Sequence, residues 1–214
     1  MDKVDDDADA GQATKAALTS MPYLCQELIL YGSVFADNLP DLERRLTGLC
    51  DPGSTEFSEH DLSFSLRTGT DPDVTIRYNR VVSGATLVWR ARGPEPDQKC
   101  PVIVRKVIDS TAYSHLMMDF VKTLGLRMDH EYIAKGTVWT NGKMKVVISQ
   151  IQKTEKAGFY DQSNLKRFSD SYLVEMSVCL PDSAEYTAAA KQLRDFADQL
   201  LPLVEMEKVD YWRK

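Results

Sequence analysis

Four strand-like segments follow one another between residues 61 and 109, and their close spacing constrains the fold more than any other feature. They are "DLSFSLRT" from Asp61, "VTIRYNR" from Val74, "ATLVWRAR" from Ala85 and "CPVIVRKVID" from Cys100. The first three alternate apolar and polar residues, a period typical of strands with one buried face. Gly, Pro and Asp fill the breaks, which are too short for the helical crossover between parallel strands. The chain is therefore predicted to form an antiparallel meander.

Three amphipathic segments around this meander predict helices. The first spans residues 37–53 and the other two span residues 110–125 and 182–204. The first carries an apolar stripe spaced by three or four residues, formed by Leu39, Leu42, Leu46 and Leu49. Further strands are predicted at residues 24–34 and 171–180, and in a hairpin around Asn141-Gly142, a strong turn signal.

The predicted fold class is α+β, mainly antiparallel β, with eight to ten strands and about three packed helices. A closed β-barrel accounts for so many strands without long exposed edges. Two packed sheets are the alternative. Residues 21–210 are expected to form this single domain, with a mobile polar loop at residues 153–170. Residues 1–20 form an acidic tail predicted to be disordered, and residues 211–214 a second tail.

Composition limits the classes of partner. The net charge of −6 and pI of about 5.1 argue against a general attraction to nucleic acid, and no sequence-specific nucleic-acid contact is expected. No apolar run approaches the roughly 18 residues of a membrane span. The four cysteines contain no C-x-x-C pair, which indicates a reduced intracellular compartment and argues against a zinc site.

One short motif suggests chemistry. Glu131, Ile133 and Lys135 alternate along a predicted strand and so share one face. Triphosphate tunnel metalloenzymes, which are also antiparallel barrels, carry Glu-x-Glu-x-Lys there, but isoleucine replaces the second carboxylate here. Mg²⁺ and Mn²⁺ require several oxygen ligands. The neighbouring Asp129 and His130 are adjacent residues, whose side chains point apart on an extended chain.

These observations predict a barrel with an apolar interior and without catalytic, metal-binding or cofactor-binding residues. A divergent metal-dependent tunnel phosphohydrolase acting on triphosphates is the alternative function. Lipid carriage in the apolar interior is a third possibility.

Two surfaces are candidates for protein contacts. The first lies on the second predicted helix and comprises Met117, Met118, Phe120, Val121 and Leu124. The second is formed by basic residues between positions 67 and 106, which are either solvated strand faces or a docking surface for an acidic partner. The basic residues are Arg67, Arg77, Arg80, Arg90, Arg92, Arg105 and Lys106.

Several segments carry a resemblance to a known family. They are "YGSVFADNLPDLERRLTGLCD", "LGLRMDHEYIAKGTVW", "SYLVEMSV" and "FADQLLPLVEMEKVD". In this order they resemble segments of the metazoan Mediator complex subunit 18 family. The resemblance covers roughly residues 24–210 and is strongest at residues 127–136 and 171–175.

The resemblance implies a nuclear, non-catalytic subunit in the head module of Mediator, a coactivator of RNA polymerase II. It implies a barrel similar to the RNA triphosphatase tunnel. The implied partners are Mediator subunit 20, a related barrel, the C-terminal helix of Mediator subunit 8, and other head-module subunits, with RNA polymerase II as a further candidate. The resemblance assigns no residue to a partner contact.

Overall fold

The computed structural model describes residues 23–65, 73–79, 87–92, 99–112, 116–154 and 162–209. The described strands are β1 Tyr23–Phe35, β2 Thr55–Ser65, β3 Asp73–Asn79, β4 Leu87–Arg92, β5 Ile103–Ala112, β6 Arg127–Asn141, β7 Met144–Thr154, β8 Leu165–Arg167 and β9 Ser171–Pro181. The described helices are α1 Leu39–Leu49, α2 Met117–Thr123 and α3 Thr187–Asp198, with short 3₁₀ turns at Ala36–Asn38 and Gln162–Asn164. The two predicted tails and residues 155–161 of the predicted mobile loop lie outside this description.

All the described strands belong to one antiparallel sheet. Its order is β6-β2-β3-β4-β5-β1-β9-β7-β8, and β6 pairs with β7 as well as with β2. Because β6 contacts strands from both halves of the order, the sheet is strongly curled. The predicted meander is confirmed, since β2, β3, β4 and β5 are successive neighbours. The alternative of two separate packed sheets does not describe these strands.

One face of the curled sheet forms the main apolar core with α1 and α3. Leu42 and Leu46 of α1 and Leu193 of α3 are fully buried against strands β1, β5, β7 and β9. Each such leucine contributes about 1.5–3 kcal/mol of transfer free energy. The stripe predicted on α1 is confirmed, with Leu39 and Leu49 packed partly against the same core. None of the helices in the described ranges is long and apolar enough to cross a membrane.

The helix α2 covers a second, smaller cluster. Its buried members are Leu62, Phe64, Ile76, Val121 and Leu126. The predicted helix at residues 110–125 is shorter in the structure, because the chain continues as β5 through residue 112. Ser110 pairs with Trp89 and Thr111 with Val88 of β4, so these residues extend the sheet instead of capping a helix. Gly125 follows the end of the helix with a φ of +79°, as the sequence indicates.

The predicted hairpin between β6 and β7 is present, with a turn one residue later than the Asn-Gly signal suggests. Asn141 still pairs with Met144, so Gly142 and Lys143 form the turn. Gly142 has a φ of +56°, and no residue other than glycine has a positive φ in the described chain, so Lys143 does not. A two-residue turn in which only the first residue, a glycine, has a positive φ is typical of type II′. The Gly142 amide donates to Asp51 Oδ2 at 2.9 Å, which fixes the turn to the segment after α1.

Candidate functional site

A cavity of about 110 Å³ lies on the sheet face opposite the main core. It is lined by side chains from β2, β3, β6, β7 and β9. Besides apolar groups, the lining includes charged side chains from four of these strands: Glu59, Asp61, Arg77, Lys145 and Glu175. A cavity of this size holds several water molecules or a small solute.

The prediction of an apolar interior is therefore wrong for the described strands. The apolar face of β7 and β9 turns towards α1 and α3, and the alternate face of these two strands lines the cavity. For example, Val146 and Ile148 lie in the core, whereas Lys145 and Ser149 face the cavity. A charged lining also disfavours the lipid-carrier alternative, because lipid chains offer no partner for buried charges.

An ion-pair network organises one wall of the cavity. The Arg77 guanidinium donates from Nε to Asp61 Oδ1 and from Nη2 to Asp61 Oδ2, each at 2.7 Å. Its Nε also lies 3.1 Å from Glu59 Oε2. The Tyr132 hydroxyl donates to Asp61 Oδ2 at 3.1 Å. Asp61 is only 1% exposed, so the network compensates a fully buried carboxylate.

The electrostatics agree with this geometry. Burial lowers the pKa of Arg77, but the hydrogen bonds and charge of Asp61 and the charge of Glu59 outweigh it and raise the pKa above its ordinary value. Arg77 therefore stays cationic, and its single positive charge is shared between the carboxylates of Asp61 and Glu59. Within the described ranges, no three His, Cys, Asp or Glu side chains gather into a site that could hold a metal ion.

The motif residues Glu131, Ile133 and Lys135 share one face, as their alternation predicts, but this face lies away from the cavity. The cavity is lined instead by the intervening Tyr132 and Ala134. Ile133 is fully buried on the opposite face, where Glu131 Oε2 lies 3.3 Å from Nε2 of His60. The tunnel-like motif therefore lies on the face of β6 that points away from the cavity.

The neighbouring Asp129 and His130 form no site with Glu131. His130 Nδ1 lies 3.2 Å from Asp129 Oδ2, and both side chains are exposed. Glu131 turns to His60 on β2. The sequence pattern placed Arg77 only among the basic residues and did not single out Asp61, because the two side chains meet only through the pairing of β2 with β3.

The helix α2 presents some of its predicted contact residues and buries others. Val121 lies in the core, so it is not available to a partner, and Met117 and Met118 are partly packed against the same cluster. Phe120 is 52% exposed and Leu124 is 49% exposed. With Leu116, which is 55% exposed, they form an apolar row spaced by four residues. We call Leu116, Phe120 and Leu124 the α2 stripe.

The described basic residues do not gather on one outer face. Arg77 lies in the cavity network, and the half-buried Arg105 pairs in register with Glu27, which is buried on the same strand face. Lys106 points to the other face and binds Asp182 at 3.1 Å. Arg67 and Arg80, and the side chains of Arg90 and Arg92, lie outside the description. The interpretation as a docking surface therefore gains no support from the residues described.

Comparison with known proteins places these features in one family. The family described as "Med18 protein" matches residues 26–83 and 90–213. The chain is 52% identical over its whole length to Mediator of RNA polymerase II transcription subunit 18 of Caenorhabditis elegans, covering 96% of that protein. It is 39% identical to the protein of the same name from Danio rerio, over 86% of this chain and 88% of the relative.

Solved structures show the same fold. A chain of the Schizosaccharomyces pombe Mediator head module superimposes with a TM-score of 0.73 at 17% identity, over 86% of this chain and 98% of that chain. The Mimivirus capping enzyme triphosphatase superimposes with a TM-score of 0.52 at 7% identity, over 92% and 98% of the two chains. Both likenesses concern the fold alone. The family match and the identity to relatives across their length show that the chain belongs to the Med18 protein family.

Proposed function

We propose that the protein is a subunit of the Mediator complex that acts in RNA polymerase II transcription in the nucleus. The observation that carries this proposal is the 52% identity over the full chain to a protein named as a Mediator subunit. The fold shared with a chain of the Mediator head module supports it. We further propose that the protein acts through contacts with other subunits and not through catalysis.

The scaffold in this proposal is a closed barrel. The pairing of β6 with β2 on one side and β7 on the other supports a ring of eight strands, in which β8 is an addition to the edge of β7. A closed ring leaves no long strand edge for accidental pairing. Its outer surface is then available for helices and for partner subunits.

The non-catalytic part of the proposal rests on the ion-pair network. A metal-dependent phosphohydrolase needs carboxylate oxygens that are available to Mg²⁺ or Mn²⁺. Here Asp61 is held by Arg77 and Tyr132, and Glu59 lies beside the same guanidinium. A cation would have to displace Arg77 from both carboxylates.

We expect purified protein to release no phosphate from a nucleoside triphosphate in the presence of Mn²⁺ beyond the rate of a Glu59→Gln variant. Colorimetric detection of phosphate provides the measurement. Glu131→Gln serves as a matched control, since Glu131 lies outside the cavity. Release by the parent protein that Glu59→Gln abolishes and Glu131→Gln retains would support the tunnel phosphohydrolase instead.

The proposed partners follow the family resemblance. They are Mediator subunit 20 as a second barrel, the C-terminal helix of Mediator subunit 8 and the other head-module subunits. We propose that the α2 stripe contacts an apolar surface of one of these subunits. Its three exposed apolar side chains at helical spacing support this, because such rows form the anchors of helix-in-groove contacts.

Replacing Phe120 and Leu124 together by Ser is expected to weaken recovery of Mediator subunits at least about tenfold, since buried apolar anchors each contribute more than about 1 kcal/mol to binding. The variant should fold normally, because both side chains are about half exposed. Affinity purification from nuclear extract with quantitative mass spectrometry measures the recovery.

Asp119→Ser and Thr123→Ser on the same helix provide the matched control, since both residues are exposed and polar. Undiminished recovery with the Phe120 and Leu124 variant would remove the α2 stripe from the proposal. Recovery of the parent protein without any other Mediator subunit would contradict the Mediator proposal itself.

A further inference from the structure

Two free cysteines occupy diagonal positions on the neighbouring strands β1 and β9. Cys25 pairs in register with Pro181, and Cys179 pairs with Glu27. Because the two pairs are separated by two residues on each strand, both cysteine side chains project from the same face of the sheet. This is the face opposite the main core, which receives Leu28 and Leu30 from β1.

The two thiols contact each other and differ in their access to solvent. The Cys25 thiol shares a hydrogen bond with Cys179. Cys25 is 2% exposed, whereas Cys179 is exposed at the surface. Burial raises the pKa of Cys25 to about 12, and the nearby Cys179 and Asp109 add to this effect. Cys25 is therefore a neutral thiol at physiological pH.

We propose that Cys25 and Cys179 form a reversible redox modification site that closes to an intramolecular disulfide when the protein meets a peroxide. The proposal stands on the diagonal register, the contact between the thiols and the exposure of only one of them. Cys50 and Cys100 are not part of the site, because neither lies on β1 or β9.

The chemistry takes place in two balanced steps. Hydrogen peroxide oxidises the Cys179 thiol to a sulfenic acid, and the peroxide is reduced to water. The Cys25 sulfur then attacks the Cys179 sulfur, the S–O bond breaks, and the hydroxyl leaves with the Cys25 proton as a second water. Cys179 reacts first because it alone is exposed to the oxidant. The second step is slow because Cys25 is protonated.

The bond formed in this way should be easily reduced. Diagonal neighbours on antiparallel strands have Cα atoms roughly 7–8 Å apart, whereas relaxed disulfides span about 5.5–6 Å. Closing the bond therefore requires the strand ends to shift, and strained disulfides are reduced readily by cellular thiols. Such a bond forms transiently even in a reducing compartment.

The shift would act on the turn that leads to α3. The Gln26 amide donates to the carbonyl oxygens of Pro181 at 3.1 Å and Asp182 at 3.2 Å, and also to that of Ala184. These bonds hold the turn directly beside the cysteine pair. We expect a disulfide to change the exchange of the backbone amides of this turn.

The test treats the reduced full-length protein with hydrogen peroxide and maps disulfides by mass spectrometry of peptides under non-reducing conditions. We expect a peptide linking Cys25 to Cys179, with loss of the mass of two hydrogen atoms and reversal by dithiothreitol. Cys179→Ser should abolish both the linked peptide and the sulfenic acid trapped by dimedone. Cys50→Ser, as the matched control, should leave both unchanged.

Substitution of the buried Cys25 separates the oxidation of Cys179 from the closure of the disulfide. Cys25→Ser and Cys25→Ala should abolish the linked peptide and increase the dimedone adduct at Cys179, with folding verified by circular dichroism. The adduct in the parent protein tests the first step even if both variants unfold. Absence of the linked peptide after peroxide treatment, or links from Cys179 to Cys50, Cys100 or a second chain, would overturn the proposal.

Discussion

Asp61→Ala is expected to lower the free energy of unfolding by about 2–4 kcal/mol, as measured by urea denaturation followed by circular dichroism. The substitution removes a carboxylate that is 1% exposed and accepts hydrogen bonds from Arg77 and Tyr132. Removing one partner of a buried ion pair leaves the other charge without compensation, at a cost of about 3–5 kcal/mol. The expected value is somewhat smaller because Arg77 keeps Glu59 as a partner at 3.1 Å.

The matched control is Asp195→Ala, which removes an exposed pair with Lys191 at 3.0 Å on α3. Surface pairs contribute about 0–1 kcal/mol, so this variant should remain close to the parent protein. Equal stability of the Asp61→Ala and Asp195→Ala variants would contradict the structural role of the network.

The helices and strands of this fold were predictable where the residue pattern that defines them lies within one segment of the sequence. On α1, the spacing of Leu42 and Leu46 defines the buried face, and on α3 Leu193 and Phe196 do the same. A helix face can be read from the sequence because residues three and four apart are neighbours within the element. The four closely spaced segments at residues 61–109 likewise required antiparallel neighbours.

The cavity was not predictable, because alternation along a strand does not say which face turns inward. An apolar interior was predicted, yet on β7 the apolar face containing Val146 packs beneath the helices. The choice depends on how the whole sheet curls and on where α1 and α3 lie. Asp61 and Arg77 meet across β2 and β3, and Tyr132 reaches Asp61 from a strand 71 residues away. Such contacts cannot be predicted from the spacing of residues within any one segment.

Gly136→Ala is expected to destabilise the protein by about 3 kcal/mol or more, or to prevent folding, because it separates β6 from β7. Gly136 pairs with Ser149, and the strands approach so closely that a Cβ at this position would overlap the carbonyl oxygen of Ile148. It would also lie 2.8 Å from the Cα of Ser149. Backbone atoms of a central strand cannot move as a side chain can, so the cost lies at or above the upper end of overpacking, about 1–3 kcal/mol.

Gly48→Ala on α1 separates this steric effect from a general intolerance of glycine substitutions. A Cβ at residue 48 would meet no atom within 4 Å, and alanine in a helix is favoured over glycine by up to about 1 kcal/mol. Urea denaturation should therefore show slight stabilisation by Gly48→Ala and severe loss by Gly136→Ala. If Gly136→Ala left the unfolding free energy within about 0.5 kcal/mol of the parent protein, the close β6–β7 contact, and with it the proposed closure of the barrel, would be refuted.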